Sequence, residues 1–212
     1  MIPLIQMLVA LEMLALPLWA GFVWARPGTT LGGRLARLPA PVVLLAGPLL
    51  VAAALADPSA GCCAGAPEAV AGVLRAQAVA VGFLVLLAGT AACLGRLVGP
   101  RAGQVLVALV GWAVLGSVVL AGPAVALTSG FLQALLVRAA VHGNPIVAAE
   151  YELGLGWLRQ DLTYRASVLG ESYSYLAGDI AWYKTLLAHA FVGSGLLVFS
   201  LPWARRGERP TE

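Results

Sequence analysis

Five apolar stretches, each close to the roughly 20 helical residues needed to cross about 30 Å of hydrocarbon, constrain this chain more than any other feature. They run from about Ile2 to Trp24, Pro41 to Ala56, Ala69 to Leu94, Gln104 to Leu127 and Ile180 to Leu201. The second is short and begins nearer Leu38. The third carries Arg75 and Gln77 close to its start, where an arginine can reach the headgroups. With 60% hydrophobic and 11% charged residues, the composition is far from that of a soluble domain. The expected fold is an all-α integral membrane protein, a bundle of about five transmembrane helices with an extracytoplasmic amphipathic helical segment between spans four and five. A formal net charge of +3 leaves no basic patch of the size that nucleic-acid binding needs, so no nucleic-acid partner is expected.

Orientation follows from the arginines, because short loops rich in Lys and Arg stay cytoplasmic. The first connection holds Arg26, Arg34 and Arg37, the third Arg96 and Arg101, and the tail Arg205, Arg206 and Arg209, whereas the loop from Asp57 to Glu68 has no Lys or Arg. The alternation predicts a multi-pass protein of the inner (cell) membrane with its N-terminus extracytoplasmic and its C-terminus cytoplasmic. The first run lacks a basic n-region and exceeds a leader's apolar stretch, so it reads as a retained span and not as a cleaved signal. Heavy Ala, Gly, Leu and Arg usage beside a single lysine, Lys184, reads as a GC-rich bacterial genome.

The chain divides into a four-span region (1–127), an outer segment (128–179), and a fifth span with a short basic tail (180–212). Leu45-Ala46-Gly47-Pro48 in span two recurs as Leu120-Ala121-Gly122-Pro123 in span four, and each proline is expected to kink its helix and free a carbonyl one turn earlier. In the outer segment, Gly130 to Val141 suits a short re-entrant or interfacial helix. His142-Gly143-Asn144-Pro145 then breaks the chain, and a second helix is expected to start near Ile146. From Tyr151 onward, apolar residues at spacings of three and four oppose a stripe of polar or small residues, the pattern of an amphipathic helix. Such a helix packs on the protein's own spans or binds another subunit or lipid.

Among polar residues, Glu12 near the middle of span one stands out, because a carboxylate there is expensive and marks a functional site by default. It carries a proton or cation, or else hydrogen-bonds a neighbouring helix. Gln6, six positions away, does not share its face, and no second acid or base accompanies it in the hydrophobic centre. His142 and His189 are candidate ligands of a b-type haem, and His142 with Glu150, Glu152 or Asp161 of a metal ion; the competing reading is a histidine satisfied by a backbone carbonyl and carboxylates paired with Arg159 or Arg165. Cys62 and Cys63, adjacent in the outer loop, suit a vicinal disulfide or a thiol site that binds a partner, a metal or an acyl group; Cys93 lies at the other side.

Three functions from different classes remain. In the leading one, the chain is an accessory or structural subunit of a multi-subunit membrane complex, with bioenergetic assemblies as one class, not catalytic by itself. It contacts other membrane subunits, a second copy, or lipid through Tyr151, Trp157, Tyr164, Tyr173, Tyr175 and Trp182. The second is a small oligomeric transporter or channel component using Glu12, and the third a haem b or quinone-linked electron-transfer subunit using His189 and His142.

Overall fold

Runs of Leu, Ala and Val long enough to close every backbone hydrogen bond internally leave helix as the economical state of this chain. The computed structural model describes residues 2–25, 30–55, 66–154 and 180–206. Every element among them is an α-helix: α1 (Ile2–Ala25), α2 (Leu31–Arg37), α3 (Ala40–Ala54), α4 (Ala66–Leu97), α5 (Pro100–Leu115), α6 (Ser117–Leu120), α7 (Gly122–Ala126), α8 (Gly130–His142), α9 (Pro145–Glu152) and α10 (Trp182–Arg206). Three helical stretches are long and apolar enough to cross a membrane, Leu4–Trp24, Gly32–Ala54 and Pro67–Leu97, and two bent pairs raise the candidates to five. The expected second span gains its length from α2, whose N-cap Thr30 accepts a hydrogen bond from Gly33 N. The expected fifth span is α10, which lies along α4.

Helix α4 is the hub, packing on α1, α3, α5, α9 and α10. Contacts fix the directions. Gly82 meets Leu186, Gly89 meets Gly193, and Cys93 Sγ lies 3.9 Å from the Leu196 carbonyl, so α10 runs parallel to α4. Glu12 meets Gln77 and Trp24 meets Gly95, so α1 runs the same way. Helix α5 runs against them, with Gly21 beside Gln104 and Gly111 beside Pro17. Along α1, Ile5, Val9, Glu12, Met13, Leu16, Ala20 and Val23 are buried while Leu4, Met7, Leu11, Leu14, Leu18 and Phe22 are exposed. A 3.6-residue stripe thus selects which face meets the bundle, and the outward face is as apolar as a lipid-facing surface requires.

Two breaks shape the rest. The fourth expected span, Gln104 to Leu127, is not one straight helix. It turns by 71° between Pro100–Leu115 and Ser117–Ala126. The turn falls at Gly116, upstream of Pro123, which instead opens α7; Pro48, the other expected kink, lies inside the continuous helix α3. A second turn of 66° separates α8 from α9 at Gly143 and Asn144, where the sequence places the chain break. Helix α8 packs back on α6 and α7. Helix α9 then enters the bundle against α4, α1 and α10, with Ile146 through Glu150 all buried. Residues 145–150 are therefore interior to the bundle, and Glu150 is not a surface carboxylate. The helix expected to continue past Tyr151 ends at Glu152, followed by Gly154 with φ +79°, a conformation that glycine adopts at little cost. The remainder of that amphipathic pattern, with Trp157, Tyr164, Tyr173 and Tyr175, lies outside the described residues, as do Cys62, Cys63, Arg159, Asp161 and Arg165.

Candidate functional site

The buried polar groups gather along the inner faces of α1, α4, α9 and α10. Glu12 is 3% exposed, and its Oε2 accepts a 2.8 Å hydrogen bond from Nε2 of Gln77, itself 6% exposed. The other oxygens of the pair, Glu12 Oε1 and Gln77 Oε1, are buried with no hydrogen-bond partner. The sequence puts Gln77 close to the start of the third span and predicts no second acid or base beside Glu12. Helix α4 starts at Ala66, so Gln77 sits eleven residues along it, about 16 Å from its start, and meets Glu12 near the middle of α1. Gln6 also lies on the buried stripe of α1, at 7% exposure, but reaches a different neighbour: its Nε2 donates to the Leu153 carbonyl at 3.1 Å.

Glu150 reaches the interior from α9. It is 2% exposed and its Oε2 has no hydrogen-bond partner. Two residues further on, at the end of α9, the chain becomes polar and open. Arg75 Nη1 pairs with Glu152 Oε2 at 2.9 Å, beside a cleft of about 300 Å³ lined by Glu68, Arg75, Tyr151 and Glu152 together with the buried Ile5 and Val73. Val73, one helical turn before Gln77 on α4, lines this cleft, whereas Glu12 and Gln77 do not.

At the opposite end of α9, three side chains satisfy the backbone that the break leaves open. Asn144, 1% exposed, caps α9 by accepting from Ile146 N and Val147 N at 3.0 and 3.2 Å. Its Nδ2 donates to the Leu115 carbonyl at 2.6 Å, which the break at Gly116 frees, and to Ser117 Oγ at 3.3 Å. Thr185 Oγ1 donates to the His142 carbonyl at 2.7 Å. His189 Nε2 lies 2.9 Å from the Gly143 carbonyl and, as the ring's N–H, donates to it; the ring is tilted over Phe83 with centroids 5.6 Å apart. A buried backbone carbonyl without a partner is costly, and these side chains supply the partners that the breaks leave open.

The two histidines thus meet at the break between α8 and α9, but the contact is from the His189 ring to the backbone of the residue after His142. His189 Nε2 is engaged there, so the arrangement fits a histidine satisfied by a carbonyl better than an axial haem ligand. Among the described residues no three His, Cys, Asp or Glu side chains converge as a metal site requires. Of the expected contact aromatics, Tyr151 is exposed at the cleft, and Trp182 is half-buried and packs edge-to-face on Tyr183 at 6.2 Å. Gln77 and Thr185 are not singled out as site residues by the sequence, because amides and hydroxyls inside an apolar helix carry no motif; the signal available is their location within otherwise apolar spans, whereas Asn144 is marked only as part of the chain break. Compared with family models, curated proteins and solved structures, the chain matches none, and the reading of the site rests on its own geometry.

Proposed function

We propose that the protein is a membrane-embedded component that moves a proton or small cation, with Glu12 as the carrying group, and that it works as an oligomer or within a larger membrane assembly. The observation behind this reading is the placement of Glu12. A carboxylate buried to 3% near the middle of a candidate span, hydrogen-bonded by a buried glutamine of the neighbouring helix, is costly to keep and contributes little to packing. Three features support the same reading. A second carboxylate, Glu150, stands buried with its Oε2 unpartnered on the helix packed against α1 and α4. A cleft lined in part by Glu68, Arg75 and Glu152 reaches Val73, one helical turn of α4 before Gln77. Broken helices meet inside the bundle at Gly116 and Asn144, an arrangement that membrane carriers use to expose backbone and side-chain oxygens to a transported ion.

The test is flux of the purified full chain in liposomes under an imposed proton or sodium gradient. Glu12→Gln is expected to lower flux to that of protein-free liposomes while the protein still inserts and elutes as the same species. Undiminished flux in Glu12→Gln sinks the reading. A second reading, the accessory subunit of a larger complex, draws on the exposed Leu127 and Phe131, at 88% and 84%, where α7 and α8 meet. Mild-detergent extraction separates the two: stoichiometric partner chains support the subunit reading, and flux from the isolated chain supports the carrier.

A further inference from the structure

The carboxyl of Glu12 and the carboxamide of Gln77 have four hydrogen-bonding heavy atoms between them, and only two are satisfied. Gln77 Nε2 donates to Glu12 Oε2 at 2.8 Å, while Glu12 Oε1 and Gln77 Oε1 are both buried and both lack a partner. An ionised carboxylate and an amide carbonyl are acceptors only, so as a charged pair the site holds two orphaned acceptors and no donor to serve them. Each orphan in an apolar interior costs on the order of a hydrogen bond or more, and native proteins leave few such groups. One proton resolves both. Placed on Glu12 Oε1 it turns that oxygen into a donor, and Gln77 Oε1 is the free acceptor on the same amide that already binds the other carboxyl oxygen.

Building on the carrier reading, we propose that the species bound at this site is a proton, held on Glu12 Oε1 and donated to Gln77 Oε1, so that acid and amide close a reciprocal two-bond ring between α1 and α4. The proton enters from water and returns to it. On release the Oε1 donor is lost while the bond from Gln77 Nε2 to Oε2 stays, so the amide holds the side chain in place in both states. A metal cation would need several more oxygens, and these two orphans are what the pair offers; among the described residues no third acidic or histidine ligand joins them in a metal-binding cluster.

Infrared spectroscopy of the full chain in lipid nanodiscs at neutral pH, in ordinary and heavy water, tests this directly. A carbonyl stretch of a protonated carboxylic acid is expected. It should shift down in heavy water, vanish in Glu12→Gln, and move to higher frequency in Gln77→Met, which keeps the side-chain volume but removes the hydrogen bonds. Glu150→Gln serves as the control, removing any acid band that belongs to Glu150 and leaving the Glu12 band in place. Two results overturn the proposal: the Glu12→Gln difference spectrum shows only the loss of carboxylate stretches, as when a buried water serves an ionised Glu12, or the acid band is indifferent to Gln77→Met. Should Glu12→Gln fail to fold, the Gln77→Met shift alone decides. The first result leaves the carrier reading standing for a cation other than the proton, the second leaves it standing with a proton that Gln77 does not bind, and unchanged liposome flux in Glu12→Gln removes the carrier reading whatever the spectrum shows.

Discussion

Asn144 shows how much one polar residue does inside an apolar bundle. Its carbonyl oxygen ends the backbone of α9 and its amide covers the Leu115 carbonyl at 2.6 Å, so it joins the break between α8 and α9 to the break between α5 and α6. Truncation to Ala strands buried backbone groups at both, at about 1–3 kcal/mol. Asn144→Ala is expected to lower the thermal midpoint of the detergent-solubilised protein, while Asn144→Asp, which keeps the cap but loses the donor to Leu115, lowers it through the second contact. A midpoint unchanged in Asn144→Ala would mean that water takes over both roles. The sequence pointed to this residue as part of a chain break, through Gly143 and Pro145 around it. It gave no sign of the amide's second partner, because Leu115 lies 29 residues away and only folding brings its freed carbonyl alongside. Glu12 is the converse case: its position in an apolar run marks it at once, but Gln77, 65 residues on, becomes its partner only when α1 and α4 align.

Between elements, the closest approach is the seam of α4 and α10. A Cβ added at Gly89 would collide with the Gly193 carbonyl, one added at Gly193 with the Val85 carbonyl, and one at Gly82 would come within 2.8 Å of Leu186. Without water to drive apolar faces together, helices in lipid associate through such close packing, so small residues are placed where backbones must touch. Gly89→Leu or Gly193→Leu is expected to force the helices apart, at a cost of about 1–3 kcal/mol or more. This would show as early aggregation in a detergent thermal-stability assay monitored by size exclusion. Gly47, with nothing within 4 Å of an added Cβ, is the matched control, and Gly47→Ala should leave the protein as stable or slightly more so. Equal losses at Gly47 and Gly89 would remove the packing explanation. The glycines were visible in the sequence, but twenty-five of them are spread through the chain, and which ones face a neighbour depends on helix rotation.

For the whole molecule, direction is the property that links sequence to structure. Helices α1, α4 and α10 run parallel, with α5 against them, so the ends of α1, α4 and α10 that carry or adjoin Arg34, Arg96 and Arg205 face one way. Arg34 lies over the Trp24 ring at 5.8 Å, at that same end. The ion pair of Arg75 with Glu152 and the cleft beside it lie at the other. The arginine bias expects the first group to be cytoplasmic. In sealed vesicles, a membrane-impermeant thiol reagent is expected to label Arg101→Cys only from the cytoplasmic face and Glu68→Cys only from the opposite face, in a background with the native cysteines replaced. Labelling of both from one side would require the chain to be threaded differently.

The amino-acid sequence alone determined what depends on each stretch considered singly: a helical chain with several apolar helices that suit a membrane, a polar break at His142 to Pro145, and Glu12 as an acid out of place. These are sums over neighbouring residues, so they can be read without knowing the partners. The tertiary structure decided that the fourth apolar run bends at Gly116, that residues 145–150 enter the bundle and carry Glu150 inside, and that Gln77 meets Glu12. Helix rotation, tilt and register decide these, and in an apolar chain they depend on small differences in packing and on where a few buried amides, hydroxyls and carboxyls find partners, which no local pattern encodes.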